Sequence, residues 1–129
     1  MPKKNLSDYV VFVLDTLRLL APVSAKAMFG GYGIFKHGVM FALVVQDVLY
    51  LKASADTKTA FEAKGLVPFS YQKQGKICYL NYYQCPEEAF DDEELMYDWA
   101  YKSYQLALRL KTKTYYFLII LMVKKKIKC

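Results

Sequence analysis

From Lys26 to Ser54 the chain reads KAMFGGYGIFKHGVMFALVVQDVLYLKAS, and no other stretch narrows its folding options as much. Residues 31–35, 39–45 and 48–52 are short runs of apolar, β-branched and aromatic residues, the composition of strands. Lys36-His37-Gly38 and Gln46-Asp47 separate them. Both connections suit hairpins, and neither is long enough for the crossover that parallel strands need. The stretch is therefore expected to form an antiparallel meander.

Helical patterns flank it. In residues 7–20, SDYVVFVLDTLRLL, Ser7 is a natural N-cap and Asp8 complements the helix dipole. Val10, Val13, Leu14, Leu17 and Leu20 recur at i, i+3 and i+4, Val11 and Phe12 are expected to broaden that buried face, and Pro22 ends it. A short second helix is expected over 56–64, stopped by Gly65. Pro68 forbids helix, so residues 69–71 and 76–82 read as strands around Gln74-Gly75, followed by a turn at Pro86-Glu87-Glu88. A third helix starts near Asp91 and runs through DDEELMYDWAYKSYQLALRLK, acidic at its start and basic at its end. Its more apolar side carries Met96, Ala100, Ser103, Ala107 and Leu110.

The expected class is α+β: an antiparallel sheet of about five strands, with an N-terminal, a short middle and a long C-terminal helix packed on it. There is no repeat and no linker before residue 110. Residues 1–110 are read as one domain and residues 111–129 as a lysine-rich apolar tail, not a separate domain.

Charge separates the same two parts. The net charge is +6, from 18 basic and 12 acidic residues. Lys111, Lys113, Lys124, Lys125, Lys126 and Lys128 fall in the tail, which holds no acid, so residues 1–110 are formally neutral. No basic face is needed on the body. Contact with DNA is expected only through the tail, where Lys124, Lys125, Lys126 and Lys128 are the candidates for nucleic acid or lipid. The longest apolar run, residues 115–123, is too short for a membrane-spanning helix, which takes about 20 residues. Three cysteines without a C-x-x-C pair, and an N-terminus unlike a signal peptide, point to the cytoplasm.

The residues that could carry chemistry have structural explanations. GGYG lacks the spacing and the following Lys-Ser or Lys-Thr of a phosphate loop, and it precedes a strand. At least one of Gly30, Gly31 and Gly33 is expected to supply positive φ or a bulge. His37, the only histidine, sits in a hairpin turn and cannot complete a triad or a metal cluster alone. Cys78 and Cys85 lack zinc spacing and read as half-buried small hydrophobes. Glu87, Glu88, Asp91, Asp92, Glu93 and Glu94 suit a charged helix start. Tyr71, Tyr79, Tyr82, Tyr83, Tyr97, Tyr101 and Tyr104 could stack on bases, but they lack the basic groove that such binding uses. They fit apolar packing with wet hydroxyl tips, some of them facing a protein partner. No catalytic, cofactor-binding or metal-binding residue is expected. The tail keeps three readings: an extension of the third helix or an added strand burying an apolar face, a membrane-surface segment, or a frameshift or extension past the domain's end. The abrupt change of composition at Lys111 favours the last.

Met28-Phe29-Gly30-Gly31-Tyr32-Gly33-Ile34-Phe35 resembles the MFGGYG signature of the TfoX/Sxy N-terminal domain family. The similarity continues through Gly38-Val39-Met40-Phe41-Ala42-Leu43-Val44, Leu49-Tyr50-Leu51-Lys52, Phe61-Glu62-Ala63, Pro68-Phe69, Pro86-Glu87-Glu88-Ala89 and Trp99-Ala100. The resemblance implies a non-enzymatic regulatory or protein-interaction role linked to competence, the uptake of DNA, with Met28, Phe29, Gly30, Gly31, Tyr32 and Gly33 as a structural motif. Longer family members carry a helical C-terminal domain, and none is expected after Lys111 here. The alternative is weak nucleic-acid binding by the lysine-rich tail.

Overall fold

The computed structural model describes residues 6–28 and 30–110. Helix α1 spans Asp8–Thr16, and the Ser7 hydroxyl accepts from the Val10 N–H at 3.2 Å, the cap that the sequence signals. After Thr16 the chain tightens into a 3₁₀ turn, Arg18–Leu20. The expected helix over 7–20 is thus a shorter α-helix followed by a turn. Val10, Val13, Leu17 and Leu20 are buried as their spacing predicts. Val11 and Phe12 are not: they are 53% and 45% exposed. Their positions, one and two residues on from Val10, rotate them off the buried stripe.

The sheet has six strands in the order β1-β2-β3-β4-β6-β5, all neighbours antiparallel. They are β1 Ser24–Met28, β2 Gly31–Lys36, β3 Val39–Val45, β4 Val48–Lys52, β5 Pro68–Lys73 and β6 Lys76–Gln84. The expected meander is β2 to β4. The additional strand is β1, whose Ser-Ala-Lys-Ala-Met carries no alternating large apolar residues. Pairing with β2 on one side only, it is held by backbone hydrogen bonds more than by side-chain packing.

Three hairpins close on two-residue turns in which both residues have positive φ: His37-Gly38 at 51° and 78°, Gln46-Asp47 at 51° and 60°, and Gln74-Gly75 at 56° and 81°. Turns of this hand match the natural twist of paired strands. A register shift between Ile34 and Phe35 sets Ile34 opposite Ala42 and Phe35 opposite Met40, so Phe41 is the extra residue of a bulge. Phe41 and Ala42 both join the core on the helix side as a result.

Helix α2, Lys58–Glu62, links β4 to β5, and the chain passes over β6 to reach the sheet's edge. Helix α3, Glu93–Arg109, begins at Asp92, whose carboxylate accepts from the Glu94 and Leu95 N–H groups at 3.1 Å each. Met96, Ala100, Ser103 and Ala107 face inward, as expected, together with Tyr104 and Leu106, while Leu110 is exposed. The α3 helix packs on β3 and β4, with Tyr104 edge-on to Phe41 at 6.1 Å and the buried Ser103 hydroxyl donating to the Lys52 carbonyl at 2.8 Å. Phe61 of α2 sits between Tyr83 and Trp99, ring centroids 5.4 and 5.0 Å away. Each such fully buried apolar side chain contributes about 1.5–3 kcal/mol. All three helices share the core cluster on one side of the sheet. Among the described residues, no helix is long and apolar enough to cross a membrane.

Candidate interaction surface

The glycine signature lies at the β1–β2 hairpin. Gly30 has φ 79°, the left-handed value expected of at least one of the three. Gly31 has a different constraint: a Cβ there would sit 2.3 Å from the Val44 carbonyl oxygen on the neighbouring strand. At Gly33 it would meet the flexible Met40 and Met28 sulfurs at 2.8 and 3.0 Å, and the Phe35 ring at 2.9 Å. Met28 and Tyr32 are half-buried beside them, and Phe29 lies outside the described residues. These positions pack the hairpin and form no anion cradle of successive N–H groups at a helix start.

The remaining candidates are dispersed. His37 occupies the β2–β3 turn. Cys78 and Cys85 are both buried, more deeply than half-buried positions would be, and only Cys85 is a free thiol: Cys78 is disulfide-bonded, which corrects its reading as a plain small hydrophobe. Burial, reinforced by the charge of Glu88, pushes the Cys85 thiol up to about 12, so it stays protonated and inert at neutral pH. In the acidic run Asp92 caps α3, Glu93 pairs with Arg18, and Glu88 pairs with Lys64. The Tyr83 hydroxyl donates to Glu62 at 2.9 Å, Tyr97 stacks on Tyr101 at 5.3 Å, and Tyr79 is exposed. The tyrosines do not line one groove. Among the described residues, no group of three or more His, Cys, Asp or Glu could hold a metal ion. Lys124, Lys125, Lys126 and Lys128 lie outside the described residues.

Among the described residues, two concave regions stand out. One, of about 390 Å³, lies between α2 and α3, with Phe61, Ala60 and Trp99 beside Asp56, Thr57, Lys102 and Ser103. Its hydroxyls serve the fold, since Ser103 bonds to Lys52 and the Thr57 oxygen accepts from the Ser54 N–H at 2.9 Å. The other, of about 260 Å³, is bordered by Tyr9, Asp47, Leu49, Gln84, Glu87 and Phe90. Burial, and then Cys85, raise the Tyr9 phenol above its ordinary value, so it is a neutral hydroxyl at this rim.

Beside this second cleft lies the feature that sequence reasoning assigned to the core. Phe12 stacks on Phe90 at 5.7 Å and 20°, Tyr9 lies 6.0 Å from Phe12, and Val11 is exposed on the same helix. Tyr9, Phe12 and Phe90 thus form an aromatic patch beside a cleft that Asp47 and Glu87 edge with acid. A helical wheel restricted to Val10, Val13 and Leu17 would have placed Val11 and Phe12 outside the core.

Comparison with known proteins gives the chain its relatives. The model of the TfoX N-terminal domain matches residues 15–107. DNA transformation protein TfoX1 of Aliivibrio fischeri (strain ATCC 700601 / ES114) is 31% identical over 71 residues. Those residues are 55% of this chain and 34% of that protein, so the similarity spans about a third of the relative's length.

Proposed function

The chain belongs to the TfoX N-terminal domain family, and on that premise we propose that it is a non-enzymatic protein-interaction module of a cytoplasmic regulator of DNA transformation. Residues 1–110 form the module, and a partner docks on Tyr9, Phe12 and Phe90. The observation that carries this reading is the exposed Phe12–Phe90 stack beside an acid-edged cleft. Aromatic side chains beside a pocket are the usual anchors of protein interfaces. The relative is named a DNA transformation protein, and that name supplies the biological setting. The cleft offers no activated nucleophile, because the Cys85 thiol at its wall is protonated.

The experiment replaces Phe12 with glutamate in the full chain and measures transformation frequency in the native host, with a thermal melt of the purified variant. Phe12 is 45% exposed but stacked on Phe90, so stability should fall by about 1 kcal/mol, the worth of an aromatic pair, while the fold is kept. Transformation should fall at least tenfold. A folded variant with wild-type transformation frequency would remove this patch from the function.

A further inference from the structure

The smaller of the two clefts carries a charge that the fold does not use. Val48, Leu49 and Leu66 line it with Tyr9 and Phe90, and Asp47 and Glu87 edge it. Among the described residues, no lysine, arginine or histidine lines it. The acids that follow Glu87 in the chain are employed elsewhere: Glu88 pairs with Lys64, Asp92 caps α3 and Glu93 pairs with Arg18. Among the described residues, neither Asp47 nor Glu87 forms an ion pair. Both nevertheless act on the cleft. Burial first, then Cys85, and then the charges of Asp47 and Glu87 raise the Tyr9 phenol above its ordinary value, so both carboxylates are within electrostatic reach of that side chain. Apolar walls focus such a field.

We infer that this cleft takes an arginine side chain from a protein partner, whose flanking apolar residues lie on the patch of Tyr9, Phe12 and Phe90. The inference rests on the docking patch proposed above and names the chemistry that docks there. Size points to a single side chain. The cleft holds about 260 Å³, below the roughly 300–1,000 Å³ of pockets that enclose whole small ligands. Sign points to a cation, because carboxylates without a basic neighbour repel the phosphates of nucleic acid or anionic lipid. The rings then decide between the two basic side chains. A guanidinium is planar and weakly hydrated, so it can lie against Tyr9 or Phe90 while its N–H groups fork onto a carboxylate. A lysine ammonium is a compact charge that holds its water more strongly. The Phe12–Phe90 stack, 5.7 Å between centroids, supplies the apolar platform beside the charge. Arginine set among aromatic anchors is a common make-up of an interface centre.

The test titrates the full chain with the peptide acetyl-Leu-Arg-Leu-amide, followed by nitrogen–proton correlation NMR. Backbone signals of Tyr9, Asp47, Glu87 and Phe90 should shift together and saturate. The same peptide with citrulline keeps the shape and loses the charge. It should bind about tenfold more weakly, as for one lost charge-assisted contact. A lysine peptide should also bind more weakly than the arginine peptide. In the double variant Asp47→Asn, Glu87→Gln the arginine and citrulline peptides should bind alike. Asp47 has φ 60°, a conformation that asparagine also adopts, and Glu87 is exposed, so the variant keeps the fold. Equal affinity of the native chain for arginine and either substitute would overturn the inference. So would the lack of a saturable shift, or shifts centred away from the cleft. The chain's own Arg109 lies between the exposed Leu108 and Leu110. Cleft signals that move on dilution without peptide would therefore make the occupant a second copy and overturn the inference too. Transformation frequency separates this inference from the patch on which it rests. Loss in the double variant as well as in Phe12→Glu supports the cationic partner. Loss in Phe12→Glu alone keeps the patch and removes the arginine, and loss in neither removes both.

Discussion

Gly31 and Gly33 occupy the same strand, yet a methyl group would cost them different amounts. At Gly31 the obstacle is the Val44 carbonyl oxygen, a backbone atom fixed by the β2–β3 ladder. At Gly33 two of the three neighbours are methionine sulfurs at the ends of flexible side chains. Gly31→Ala should therefore destabilise the chain by about 3 kcal/mol, the upper end of overpacking penalties, and Gly33→Ala by about 1 kcal/mol. Urea unfolding of the two variants checks the order, and equal costs would show that the strand shifts to relieve the Gly31 contact. Cys85 gives a second prediction at this scale. Its thiol titrates near 9.0 when exposed and near 12 in the folded chain. Below pH 9 the group is protonated in both states and its contribution is fully present. Above pH 9 the unfolded thiol ionises first, so stability is lost progressively as pH rises towards 12. Over the whole window the loss is about 4 kcal/mol. Cys85→Ala should abolish this alkaline component, seen as a flatter stability profile between pH 9 and 12 than that of the native chain.

Elements with a local chemical signal were legible in the sequence, and those held by their neighbours were not. The turns at His37-Gly38, Gln46-Asp47 and Gln74-Gly75 could be placed because the strands around them are rich in apolar and β-branched residues. The Ser7 cap and the acidic start of α3 were readable for a similar reason, since each satisfies N–H groups within a few residues. Strand β1 escaped because Ala25 and Ala27 have no strand preference of their own, and its pairing with β2 decides its conformation. The bulge at Phe41 was hidden as well: an unbroken apolar run through Met40, Phe41 and Ala42 does not reveal which residue is extra. That ambiguity matters, because it decides which side chains enter the helix-side core and which enter the cluster around Met40. At the candidate surface, Val11 and Phe12 were misplaced because apolar identity was given more weight than angular position on α1.

For the molecule as a whole, the α+β class followed from the order of elements, while the strand order needed the structure, because β5 reaches the edge only by passing over β6. The charge distribution was legible throughout, and it carries the last prediction. Residues 1–110 hold as many acids as bases, and several of the acids are committed to capping and ion pairs around α3. Such a body supplies no net positive charge to hold a polyanion. Any affinity for duplex DNA should then reside in the tail and be independent of sequence. Each phosphate contact releases counterions and contributes about −0.9 to the log–log slope of affinity against salt, so four lysines give at most about −4. Substituting glutamine for Lys124, Lys125, Lys126 and Lys128 in the full chain should remove most of that slope and most of the affinity at low salt. Circular dichroism should be unchanged, since these charges lie past the apolar segment. A salt titration by fluorescence anisotropy on two unrelated duplexes measures both quantities. If the variant kept the slope, or preferred one duplex over the other, the described body would itself contact DNA, and the neutral-body argument would fail.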